Sequence, residues 1–123
     1  MAVQRILIID DEIDIRKIAQ ASLKITKGWD VLMAESGSKG VKLAETEQPD
    51  AILLDMMMPE MDGAETLKCL RDNPATAEIP VILLTAKVTA ANPSIAAELG
   101  VNSVLIKPFD PISLGDLIEA ALP

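Results

Sequence analysis

Ile6-Leu7-Ile8-Ile9-Asp10-Asp11-Glu12 is the stretch on which the reading of this chain turns. Four aliphatic residues in a row give no polar face to either side. A run that short, apolar on both faces and rich in β-branched residues, suits a central strand of a parallel sheet. The run ends abruptly in three acidic residues. The pattern then repeats with different endings. Ala51–Leu54 runs into Asp55, Val81–Leu84 into Thr85, and Val104–Ile106 into Lys107-Pro108. A fifth and weaker strand, Asp30–Ala34, opens on a polar residue and reads as a sheet edge.

Helical periodicity fills the intervals. Ile15, Ile18, Ala19 and Leu23 share one face, with Gly28 placed to stop the helix. Val41 and Ala44 mark a second helix with Ser36 as its cap, and Ala64, Leu67 and Leu70 mark a third that ends before Asn73-Pro74. Asn92-Pro93 starts the fourth late, so it runs only from about Pro93 to Leu99 and leaves a long loop from Thr85 to Asn92. Leu114, Leu117, Ile118 and Ala121 mark the last, for which Asp110-Pro111 reads as cap and first position.

Five strands alternating with five helices predict an α/β fold. It is a doubly wound, flavodoxin-like parallel sheet with right-handed crossovers and helices on both faces. In the strand order 2-1-3-4-5, ligands bind outside the carboxyl ends of the strands, near the switch between strands one and three. Those ends carry Asp10 and Asp11, Asp55, Thr85 and Lys107. The predicted fold thus gathers three aspartates, a hydroxyl and an ammonium from four separate strands.

Composition narrows the chemistry. The 123 residues read as one domain, 1–123, large enough to bury a core. A net charge of −8 repels phosphate backbones, so nucleic acid is not an expected partner. No apolar run is long enough to cross a bilayer and the start shows no signal peptide, so the expected setting is cytoplasmic. There is no histidine and one cysteine, Cys69, which removes imidazole-based catalytic pairs and zinc sites. Cys69 itself reads as a small inert helix residue. The Met56-Met57-Met58 run reads as core filling rather than a soft-metal site, and Asp62-Gly63 as a turn.

Three close carboxylates cannot all stay ionised without a cation. All-oxygen donors favour a hard ion, and magnesium is the natural candidate. An aspartate can attack phosphorus, while a metal ion, a lysine and a threonine neutralise and hydrogen-bond the incoming oxygens. The residue types therefore suit phosphoryl transfer onto a carboxylate.

Taken together, Asp10-Asp11 after an apolar strand, the segment from Asp55 to Gly63, Leu84-Thr85-Ala86 and Lys107-Pro108-Phe109 resemble response-regulator receiver domains of the single-domain, CheY-like kind. The resemblance implies a phosphoryl-accepting switch of a two-component phosphorelay. It gives Asp55 the acceptor role and makes Asp10, Asp11, Asp55 and the Met57 backbone carbonyl the magnesium site, with Asp10 acting largely through water. Lys107 pairs with the phosphoryl group, Thr85 is the switch hydroxyl, and the Ala86 N–H is a further phosphoryl contact. The Lys107–Pro108 bond is cis in that family. The implied donor is a histidine kinase or a histidine phosphotransfer protein, and the output is an altered protein contact that can include a phosphorylation-dependent dimer. The expected face is the fourth helix, fifth strand and fifth helix. No turnover of an external substrate is implied, only the domain's own phosphorylation and dephosphorylation.

The chain also departs from that pattern. Val104 stands where many receivers carry an aromatic rotor, so the Thr85–Asn92 loop and the short fourth helix are expected to transmit the change. Met57 and Lys87 offer no carboxylate or amide to orient water, which predicts slow self-dephosphorylation. The rival readings fit less well. An aspartate-nucleophile phosphatase would need a second aspartate at position 57. A flavin binder would need a Ser/Thr/Gly loop in place of Asp10-Asp11-Glu12. A non-phosphorylated scaffold would not need the acidic set at all.

Overall fold

A computed structural model describes residues 5–86 and 93–123. Its strands are β1 (Arg5–Ile9), β2 (Asp30–Ala34), β3 (Ala51–Asp55), β4 (Val81–Thr85) and β5 (Ser103–Ile106). The helices are α1 (Ile13–Lys27), α2 (Gly37–Glu47), α3 (Gly63–Asp72), α4 (Pro93–Leu99) and α5 (Leu114–Ala121). All pairings are parallel, in the order β2-β1-β3-β4-β5, as the sequence predicts.

Strand alternation divides the core between the two sheet faces. Leu7, Ile9, Ile52, Leu54 and Leu83 pack with Ala44, Leu67 and Leu70 on the α2–α3 side. Ile6, Ile8, Leu53, Ile82 and Leu84 pack with Leu23, Trp29, Leu114 and Ile118 on the α1–α5 side. Both sets are buried, so β1, β3 and β4 have no solvent face, which is why their sequences lack polar alternation.

The helix signals resolve locally. Gly28 closes α1 in the left-handed region at φ 71°, and Ser36 accepts from the Lys39 N–H to cap α2. Asp62 does more than turn the chain: its carboxylate accepts from the Glu65 N–H and caps α3. The start of α5 differs from expectation. Asp110 accepts from the Ile112 N–H and the Ser113 hydroxyl, closing a turn, and the helix begins only at Leu114. The Ser22 hydroxyl donates to the Pro111 carbonyl and holds that turn against α1. The fourth helix spans Pro93–Leu99 as read, while Lys87, Asn92 and most of the expected 85–92 loop lie outside the described residues.

Candidate functional site

Two strands reach one residue further than their apolar runs. Asp55 and Thr85 are the last residues of β3 and β4, and both are buried. Asp55 lies in register with Leu84, and Thr85 with Ile106. The Thr85 carbonyl accepts from the Lys107 N–H at 2.8 Å, so the β4 and β5 ends are tied where the site forms. The Lys107–Pro108 bond is cis. Ala86 follows in an exposed bend.

Beyond β1, Asp10 is fully buried and Asp11 and Glu12 are exposed. Asp10 is held from several directions. Its N–H donates to Ala34 O at 3.1 Å, its Oδ1 accepts from the Glu12 N–H at 2.9 Å, and its carbonyl accepts from Arg16 Nη1 at 2.7 Å. Its other oxygen, Oδ2, is buried with no hydrogen-bond partner of good geometry and faces Lys107 Nζ at 2.8 Å. Lys107 Nζ also lies 3.3 Å from Asp55 Oδ1 and 3.5 Å from Glu12 Oε1. Asp55 Oδ1 accepts from the Met57 N–H at 3.2 Å.

One carboxylate oxygen from each of Asp10, Asp11, Glu12 and Asp55 lies within 4.8 Å of the others. The Asp55 carboxyl is pushed up to about 6. Burial is the largest cause and the Asp10 charge the next, opposed by the Met57 N–H and by Lys107. At Lys107 burial works against the ammonium, but Asp10 and Asp55 together outweigh it and raise its pKa. The donors are all oxygen, with buried Asp10 Oδ2 left without a hydrogen bond. That set fits a hard divalent cation and offers nothing to a soft one.

The sequence-predicted residues Asp10, Asp11, Asp55, Thr85 and Lys107 thus come to one end of the sheet. Sequence reasoning gave no role to Glu12, although it directly continues the acidic pair. It also passed over Gly63, read only as part of a turn. A Cβ there would meet Asp55 O and Met56 Cα, both at 2.6 Å. Gly63 also donates its N–H to Met56 O at 3.1 Å, so its lack of a side chain lets α3 sit against the end of β3. The methionines divide: Met58 is buried in the core and Met56 packs on it, whereas Met57 is 64% exposed.

Comparison with known proteins gives a consistent result. Residues 6–119 match the family model described as "Response regulator receiver domain". The chain is 38% identical over 119 residues to the alkaline phosphatase synthesis transcriptional regulatory protein PhoP of Bacillus subtilis, covering 97% of this chain and 48% of that one. It is 42% identical over 106 residues to the DNA-binding dual master transcriptional regulator RpaA of Synechocystis, covering 86% and 44%. The chain therefore spans about half the length of the curated relatives it matches. Among solved structures, the chemotaxis protein CheY4 of Vibrio cholerae superposes with a TM-score of 0.87 at 28% identity, covering 98% of this chain and all of that one. The N-terminal domain of a receiver protein from Methanoculleus marisnigri gives 0.79 at 35% identity, covering 97% and 96%. Among the described residues, no helix is long and apolar enough to cross a membrane.

Proposed function

The chain belongs to the response regulator receiver domain family, and from that premise we propose that it is a phosphoryl-accepting switch with Asp55 as the acceptor. The observation that carries this reading is the position of Asp55. It is buried at the end of β3, 3.3 Å from the Lys107 ammonium, within a cluster of four carboxylates.

Asp10, Asp11 and Asp55, with the Met57 carbonyl, would hold a magnesium ion, and Asp10 would act largely through water. The ion supplies charge neutralisation that lets an anionic donor approach four carboxylates. The remaining work falls to the chain's own side chains. An Asp55 carboxylate oxygen forms the new P–O bond as the P–N bond to a donor imidazole breaks, and the electron pair leaves with the imidazole. Lys107 reorients from Asp10 towards a phosphoryl oxygen. The Thr85 hydroxyl and the Ala86 N–H each donate to another. Burial of Asp55 keeps competing water from the new acyl phosphate. With Met57 at position 57 and no carboxylate or amide there, the acyl phosphate is expected to hydrolyse slowly.

The donor is a phosphohistidine on a histidine kinase or phosphotransfer protein, and phosphorylation shifts a two-state equilibrium that changes a protein contact. The acidic surface argues against direct nucleic-acid contact by these 123 residues. RpaA is named as DNA-binding, however, and is about twice as long, so nucleic acid is not set aside as a partner of a longer protein. The proposed location is cytoplasmic, where such donors draw on ATP.

Incubation with magnesium and acetyl phosphate, followed by intact-mass measurement, tests the reading. One phosphoryl group is expected, lost in D55A and on chelation of the metal. Full labelling of D55A would refute the assignment.

A further inference from the structure

Asp11 sits between two carbonyls, those of Asp10 and Glu12, and one residue binds both. Arg16 donates its backbone N–H to Glu12 O at 3.2 Å, the opening hydrogen bond of α1. Its guanidinium Nη1 turns back and donates to Asp10 O at 2.7 Å. Arg16 is half-buried. The usual fastening of a helix start is missing here: Glu12 is the N-cap of α1, but its side chain makes no cap hydrogen bond and faces Lys107 instead. The Asp10–Asp11 and Glu12–Ile13 peptide planes, which bracket the exposed Asp11–Glu12 segment, are thus both held from one residue, one turn into the helix.

We propose that Arg16 is a positioning residue that, by holding the Asp10 and Glu12 carbonyls, aims the Asp10–Glu12 loop and thereby sets the affinity of the acidic cluster for magnesium. This inference rests on the metal-site reading above. It touches neither the ion nor the phosphoryl group. A ligand loop whose backbone is already fixed loses less freedom when its carboxylates close on a cation.

The sign of the effect separates this role from simple electrostatics. A guanidinium bonded to the Asp10 carbonyl adds positive charge next to the site and repels a divalent cation, so removing it by charge alone tightens magnesium binding. Removing a positioning contact weakens it. The backbone bond of Arg16 survives any side-chain change, so truncation isolates the guanidinium's hold on Asp10.

The test is isothermal titration of magnesium into wild type, R16A, R16K and K17A, with folding checked by circular dichroism. R16A is expected to bind magnesium about tenfold more weakly, the lower end of what outer-shell partners of a metal site contribute. The magnesium concentration for half-maximal phosphorylation should rise by the same factor. R16K keeps the charge and one reaching N–H, and should recover part of the affinity. K17A removes a neighbouring exposed charge from α1 and should not weaken binding. Unchanged or tighter binding by R16A overturns the inference, as does an equal loss in K17A. If R16A does not fold, the same comparison falls on R16K, which must then bind more weakly than wild type for the inference to stand. Absence of magnesium binding by wild type would instead overturn the metal-site reading, and this inference with it.

Discussion

Lys107 Nζ stands 2.8 Å from Asp10 Oδ2, closer than to Asp55 Oδ1 at 3.3 Å. The ammonium is therefore the counter-ion of two buried carboxylates, and the proposed role requires it to loosen from Asp10 to serve a phosphoryl group. Removing one partner of a buried ion pair leaves charge uncompensated. K107A should lower metal-free stability by about 2–4 kcal/mol in urea unfolding. Magnesium should restore part of that loss, because the cation replaces the missing positive charge. Equal stability of wild type and K107A in chelator would contradict this account of the site.

Asp55 gives a pH dependence of opposite sense to that of an ordinary paired carboxylate. Its folded pKa, pushed up to about 6, lies above the unfolded value of about 3.9. The folded state therefore binds this proton more tightly than the unfolded state does. The resulting stability is fully present below the unfolded value and is lost as pH rises through about 6. At pH 7.5 in chelator, D55N should be more stable than wild type, by about 1–2 kcal/mol once some water access is allowed. The gap should close as pH falls towards 4. Parallel urea midpoints across that range, with no convergence, would exclude the effect.

Gly63 should resist substitution for a reason of space. An added Cβ would meet the Asp55 carbonyl and Met56 Cα, which are backbone and cannot rotate away. At Gly40 the nearest contacts are side-chain atoms of Ile9. G63A is expected to cost about 2 kcal/mol and to slow phosphorylation by displacing the end of β3 that carries Asp55, with G40A milder in both. Urea unfolding and phosphorylation by acetyl phosphate give the two readouts. A G63A protein as stable and as fast as wild type would show that α3 can withdraw freely.

Much of this was legible in the sequence because the core strands are buried on both faces. Ile6–Ile9 and Val81–Leu84 could be read as strands without alternation, and whatever followed them had to lie at the sheet's carboxyl edge. Asp10, Asp55, Thr85 and Lys107 were placed by that logic alone. What stayed hidden depends on side-chain direction and close approach. Nothing in the order of residues says that Glu12 leaves its capping role to face Lys107, or that Arg16 turns back to Asp10. The space at Gly63 exists only once α3 is docked. The late start of α5 has the same origin: Asp110-Pro111 is a good helix opening locally, but the Ser22 contact to Pro111 and the Asp110 turn claim those residues first.

Transmission of the signal should fall on α4. Val104, three residues before Lys107, is part-buried and packs on the same core as Ala96 and Leu99 of that helix. It has no ring to rotate into space vacated near Thr85. The helix has seven residues, too few to be stable without its packing. Its Ala96 and Leu99 are only partly buried, so modest changes at the β4 end can shift its local opening equilibrium. Adding magnesium and a beryllofluoride phosphoryl mimic should change amide exchange in Ser94–Leu99 by about tenfold, a shift of roughly 1.4 kcal/mol. Exchange in α2 should stay level. V104A should preserve that response, since valine acts there by packing alone, and T85A should abolish it. If α4 exchanges identically with and without the mimic, the signal leaves the site by another route.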